Sequence, residues 1–181
     1  MSRFFLVFIF HGLISGIASA SDLKSNEDMG LSEFQTKEVD EFSRLEEFDT
    51  VNEFQSYIDD YVQSCIDNTF INTKTVPCFV GYKIWDRELN DYYQKLKILC
   101  SPEENVLLLQ SQRLWIQNRD RTIEINSAFL DWLYEDMDGT MFVAMRAGRA
   151  EDAITPMVKQ RALLLKRWVD LKIKGQYRDS W

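Results

Sequence analysis

Histidine is almost absent from this sequence, because His11 is the only one among 181 residues. His11 lies in a segment that we expect to be removed. Arg3 precedes a mostly apolar stretch from Phe4 to Ile17, and Ala18-Ser19-Ala20 offers a small-residue cleavage site. These features are typical of a secretory signal peptide, predicted here over residues 1–20. The mature chain then lacks a histidine for a Ser-His-Asp triad, a Cys-His pair or zinc, which excludes most common hydrolase designs.

Glycine and proline are also scarce, with seven and three residues respectively. Hydrophobic residues make up 45% of the chain and recur at helical spacing over long stretches. Few chain breakers and a 3.6-residue period predict an all-α fold, and the length after cleavage suits a single domain. No cofactor and no metal site are expected.

Basic residues are outnumbered, 21 against 29 acidic ones, for a formal charge of −8. Cleavage would also remove Arg3, one of the 21, and leave a charge of −9. Such a chain is not suited to follow a phosphate backbone, so nucleic acid is excluded as a partner and a basic protein is favoured.

The apolar stretch near the N-terminus is short and interrupted by Gly12 and Gly16, so no stable membrane insertion is expected after cleavage. No cysteine near the cleavage site indicates a lipid anchor.

Start and stop signals divide the chain into predicted helices. Ser32-x2-Gln35 resembles a capping box, and apolar residues between Leu31 and Phe48 predict a short amphipathic helix. A second box at Thr50 and Glu53 begins another helix. The third helix is expected from about Cys78 to Leu99, and the fourth from Ser101-Pro102 to Gly139. Thr140 would begin a shorter helix that ends near Gly148, and Thr155-Pro156 would begin the last one.

Two blocks of polar residues lie in the third and fourth helices. The first is Tyr82-x3-Asp86-x-Glu88-Leu89-Asn90-x2-Tyr93, and the second is Gln112-Arg113-x-Trp115-Ile116-x2-Arg119-Asp120. A tight turn at Ser101 would make the two helices antiparallel. Asp86 would then lie near Arg119 and pair with it, and the Asn90 and Gln112 amides would hydrogen-bond. We interpret these groups as a polar network that sets the register of a helical hairpin.

The two blocks together resemble the lysozyme inhibitor LprI-like family of small exported helical domains. The similarity extends over roughly residues 60–170. It implies a helical bundle built on an antiparallel hairpin, over residues 61–175. Residues 21–60 would form an N-terminal tail and an extra helix, and residues 176–181 a C-terminal tail. The family-motif residues, with a structural or binding role, are Tyr82, Asp86, Leu89, Asn90, Tyr93, Gln112, Arg113, Trp115, Arg119 and Asp120.

The family pattern includes a cysteine pair, and this resemblance implies one disulfide, between Cys65 and Cys78. Family members often have two further cysteines, at places that here hold Ile123 and Arg149. Cys100 is left over, with three options open: a free thiol, a bond to Cys78 instead, or a link between two chains. As a nucleophile Cys100 would lack a histidine or an obvious cationic activator.

Several other patterns have a structural and a functional interpretation. Four tryptophans are expected in the core rather than in a sugar-stacking site: Trp85, Trp115, Trp132 and Trp168. Trp181 has no clear position in a helical hydrophobic period. Acidic residues before Gly139 lack the ligand spacing of a calcium loop. The acidic stretch from Glu38 to Asp49 is expected to be a solvated face, with a docking surface for a basic protein as the alternative.

The resemblance implies a non-enzymatic protein, periplasmic or secreted, that inhibits lysozyme-type cell-wall glycosidases by binding. Its partner would be lysozyme or another basic protein. The alternative is a secreted or periplasmic protein-interaction module whose target is an unidentified envelope or host protein.

Overall fold

The computed structural model describes residues 36–69 and 76–178, with side chains up to Gly175. These residues form four α-helices: α1 (Val51–Thr69), α2 (Gly81–Leu99), α3 (Pro102–Leu133) and α4 (Thr140–Arg178). Three short 3-10 helices, Val39–Glu41, Leu45–Glu47 and Val76–Cys78, complete the regular structure of this part of the chain, which has no strand. The all-α prediction is confirmed. The predicted signal peptide and Trp181 lie outside the described residues.

The capping signals predicted at α1 and α3 are confirmed. The N–H of Glu53 donates to Thr50 Oγ1 at 3.1 Å, and the Thr50 N–H donates to the Glu53 carboxylate at 3.2 Å. Ser101 and Glu104 form the same reciprocal pair before α3, with Pro102 at the first helical position. Each pair satisfies backbone donors that the first helical turn would otherwise leave free.

The segment before α1 is not the α-helix that we predicted. Its apolar residues, Val39, Phe42, Leu45 and Phe48, are spaced by three, a period that drifts around an α-helix but suits 3-10 turns. The carboxylates of Glu41 and Glu47 accept hydrogen bonds from the N–H groups of Glu38 and Arg44, which closes two separate turns. Phe42 and Leu45 are therefore buried in the core without a continuous helix.

The last two predicted helices are one continuous helix, α4, which contains both Gly148 and Pro156. Proline removes one backbone hydrogen bond, but helices in proteins are held mainly by the packing of their apolar face. That face of α4 is buried on both sides of the proline, at Ile154, Val158, Ala162, Leu165 and Val169. Gly148 allows close packing, since a Cβ there would lie 3.2 Å from Phe79 Cζ.

The core lies where α1, α2 and α4 meet. Phe54 and Ile58 of α1, Ile84, Trp85 and Leu89 of α2, and Val158 and Leu165 of α4 are almost inaccessible to solvent. The most extensive packing between two described helices is that of α2 against α4. α3 follows α2 after a turn at Cys100 and Ser101 and ends at Leu133, six residues before the predicted stop at Gly139. No helix among the described residues is long and apolar enough to cross a membrane.

A disulfide joins the end of α1 to the turn before α2. Cys65 and Cys78 are bonded, with their Cα atoms 5.5 Å apart, and Cys100 is a free thiol. The predicted disulfide is confirmed, so Cys100 does not pair with Cys78 and is a free thiol within this chain.

Candidate functional site

Asp86 and Arg119 lie close together, as the predicted register of the α2–α3 hairpin requires. Arg119 Nη1 is 3.9 Å from Asp86 Oδ1, and Arg119 Nη2 is 2.7 Å from Asp120 Oδ1. The Arg119 guanidinium carbon lies 5.4 Å from the centre of the Trp115 ring. Asn90 is exposed and donates to the Asp86 carboxylate at 3.0 Å. This cluster lies partly in solvent, so its ion pairs contribute little to stability.

The predicted hydrogen bond between Asn90 and Gln112 is wrong, because Gln112 has a different partner. Its amide oxygen accepts from Arg161 Nε at 3.1 Å and from Nη2 at 2.9 Å. Arg161 also donates to Ser111 Oγ, and its guanidinium lies within 6 Å of the Trp115 and Trp168 rings. Burial lowers the pKa of Arg161. Arg161 was not among the predicted site residues.

Arg87 and Glu88 form a buried pair that the sequence analysis did not single out as a site. Glu88 is 1% exposed, and its carboxylate accepts from Arg87 Nη2 at 2.8 Å and from the Leu45 N–H at 3.3 Å. Arg87 also donates to the carbonyls of Val39, Phe42 and Ser43. The pair therefore anchors the segment before α1 to α2. The available sequence signal for this pair was the adjacency of two opposite charges, Arg87 and Glu88, inside the first block.

A carboxylate from α4 caps the first turn of α2. Val80, at the N-cap, provides no side-chain acceptor, and Glu151 Oε1 accepts from the Tyr82 N–H at 2.6 Å. A Cβ on Gly81 would lie 2.9 Å from that oxygen, so the glycine leaves room for the carboxylate. Burial raises the pKa of Glu151 although backbone N–H groups stabilise its charged form.

The remaining motif residues divide between the core and the surface. Leu89 is buried, Tyr82, Tyr93 and Trp115 are half-buried, and Arg113 is exposed on α3. Most of the motif therefore lies between helices and not on a single open face.

The junction of α3 and α4 provides an exposed surface. We define the α3–α4 tip as residues 124–145. On α3 the last residue of the main core cluster is Ile123 and on α4 the first is Ile154, although Leu130, inside the tip, is also buried. Tyr134 and Phe142 pack with ring centres 6.5 Å apart, and Arg146 hydrogen-bonds to Asp131. These contacts connect the two helices beyond the core.

Exposed apolar side chains and carboxylates are concentrated in this tip. Trp132 is 75% exposed, so its predicted place in the core is wrong, whereas Trp85 is buried and Trp115 and Trp168 pack on the core. The exposed apolar side chains of the tip are Ile125, Phe129, Trp132, Leu133, Met137, Met141, Val143 and Met145. Its acidic residues are Glu124, Asp131, Glu135, Asp136 and Asp138, and its sequence contains neither lysine nor arginine.

Cys100 borders a cavity of about 450 Å³ between the end of α2, the start of α3 and α4. Leu96, Leu108 and Trp168 form much of its wall. Burial raises the pKa of the Cys100 thiol, and the charge of Glu104 adds to the effect. A raised pKa disfavours the thiolate, which is the nucleophilic form.

The fold and these surfaces define a disulfide-bonded, all-helical domain with an internal polar network and an exposed acidic and apolar tip. Residues 79–162 match the family model described as Lysozyme inhibitor LprI. The predicted resemblance is confirmed over a shorter range than expected, which includes α2, α3 and the tip but neither disulfide cysteine. No curated protein and no solved structure matches the chain.

Proposed function

We propose that this protein binds a lysozyme-type cell-wall glycosidase and inhibits it without turnover. The observation that carries the proposal is the match of residues 79–162 to the LprI lysozyme inhibitor family. Within the matched segment, the tip offers exposed apolar side chains beside carboxylates, a composition suited to binding a basic protein.

Inhibition would follow from occlusion of the glycosidase cleft. Lysozyme-type enzymes use a pair of carboxyl groups on either side of the scissile bond, so a protein seated in that cleft excludes the polysaccharide. The acidic charge of the chain would accelerate its encounter with a basic enzyme. The signal peptide proposed at residues 1–20 would bring the protein to the periplasm or outside the cell, where such enzymes act.

An interaction module with another envelope or host target remains the second candidate function. The same exposed tip favours it, because an apolar patch bordered by charges is suited to many protein partners. The two functions differ in one observable, which is the effect on lysozyme activity.

The test is a titration of a basic lysozyme with the mature protein, Ser21 to Trp181, using cell-wall lysis as the readout. We expect loss of activity near a one-to-one ratio at low salt and weaker inhibition at physiological salt, because salt screens steering charges. An unrelated acidic helical protein of the same net charge is the control for non-specific attraction. Full lysozyme activity at a large excess of folded protein would rule out the inhibitor function.

A further inference from the structure

We propose that the α3–α4 tip is the surface that docks a strongly basic protein of the lysozyme class. This inference rests on the proposed function and adds the location of its binding surface. Four observations lead to it: the position of the tip beyond the core, a row of exposed apolar side chains, an excess of carboxylates, and the local contacts of the acidic stretch before α1, which is the other candidate surface.

The tip projects from the rest of the domain. Residues 124–133 continue α3 past Ile123, its last residue in the main core cluster, and Leu130 is the one buried apolar side chain among them. Ten residues at 1.5 Å each give a projection of about 15 Å. A narrow pair of helix ends is convex, and a convex feature can enter a cleft that a flat surface cannot.

One face of α3 has no partner in the described part of the chain. Ile125, Phe129 and Trp132 follow each other at helical spacing, and their exposed fractions rise along the helix from 51% through 63% to 75%. Residues at i, i+4 and i+7 share one face of a helix. Tryptophan is among the residues that most often contribute large shares of binding energy at interfaces.

Charge identifies the kind of partner. The tip has five acidic residues and no basic one, and two of its carboxylates pair with arginines just outside it, Glu124 with Arg121 and Asp131 with Arg146. Two tips facing each other would repel, which disfavours a second copy of this chain as the occupant. An anionic lipid surface is disfavoured for the same reason. A basic protein is electrostatically complementary to the tip.

The acidic stretch before α1 is a weaker candidate for the same partner. Glu41 and Glu47 accept hydrogen bonds from their own backbone turns, and Glu46 pairs with Lys95 at 2.6 Å. Its apolar side chains are also covered, because Phe42 and Leu45 are buried and Val39 and Phe48 pack on the core, so this stretch lacks the exposed apolar side chains of the tip.

The experiment compares tip variants with matched controls in the mature chain. Trp132→Ala removes the most exposed apolar side chain of α3, and Glu135→Lys with Asp136→Lys reverses charge in the turn. Ile98→Ala, at an exposed apolar position of α2, and Asp60→Lys, at an exposed position of α1, are the controls. Circular dichroism checks that each variant is folded.

Calorimetric binding to a purified basic lysozyme and inhibition of its activity are measured in parallel. We expect Trp132→Ala to weaken binding by about 30-fold or more, the loss typical of an interface hot spot. The charge reversal should weaken binding and reduce its salt dependence. Both controls should bind like the wild type.

The possible outcomes separate the docking surface from the inhibitor function. Inhibition that survives both tip variants overturns the docking surface and leaves the function intact. Binding that is lost in the tip variants, without inhibition by the wild type, supports the docking surface and refutes the function. Absence of binding overturns both. Self-association through the tip, detected by sedimentation and abolished by Trp132→Ala, also overturns the docking surface.

Discussion

Removal of the Glu88 carboxylate should strongly destabilise the protein. Glu88→Ala leaves the Arg87 guanidinium, whose side chain is 9% exposed, without its ionic partner. Loss of one member of a buried ion pair costs about 3–5 kcal/mol, because the other charge stays buried and uncompensated. Arg87 keeps its three carbonyl acceptors in the segment before α1, which favours the lower half of that range.

Thermal and urea unfolding followed by circular dichroism measure this loss. For a chain of this size each kcal/mol corresponds to about 2–4 °C, so a loss of about 3–4 kcal/mol should lower the midpoint by about 6–16 °C. Glu46→Ala is the matched control: it removes a carboxylate that contacts Lys95 at 2.6 Å but is 59% exposed, and should cost less than about 1 kcal/mol. Equal effects of the two substitutions would refute the assignment of a buried anchoring role to Glu88.

Three further changes test other parts of the structure. Cys65→Ser opens the disulfide loop and should cost about 3 kcal/mol, and an unfolding midpoint equal to that of the wild type would show that the bond is not formed. Pro156→Ala should stabilise α4, by up to about 3 kcal/mol, if the helix is continuous there; a loss of stability would instead indicate a helix start at that position. Burial raises the pKa of Glu151 above its ordinary value of 4.5, so its favourable contribution is greatest below that pH and is lost as the pH rises through the folded-state pKa. Unfolding at a series of pH values should therefore show Glu151→Gln gaining stability relative to the wild type as the pH rises, whereas parallel profiles would contradict the raised pKa.

Local signals were the most predictable from the sequence. The capping pairs at Thr50 and Ser101 each depend on residues three positions apart, so their geometry is contained in a short stretch of chain. The start of α3 at Pro102 follows from the same local chemistry. The approach of Asp86 to Arg119 required only one further assumption, a tight turn between two helices.

Contacts between distant residues were the main source of error. Gln112 is 49 positions from Arg161, and the choice of this partner over Asn90 depends on how α4 packs. The continuity of α4 past Pro156 likewise depends on its buried face, which local propensity does not report. Helical periodicity places Trp132 on an apolar face of α3, but it cannot tell whether another helix covers that face.

Hydrogen–deuterium exchange of the mature protein, with and without a stoichiometric amount of basic lysozyme, tests the proposed docking most directly. We predict slower exchange at the turn between α3 and α4, residues 134–139, and in the adjoining ends of both helices. Exchange in the segment 36–48 should be unchanged. Protection confined to the acidic stretch before α1, or no protection anywhere, would contradict docking through the α3–α4 tip.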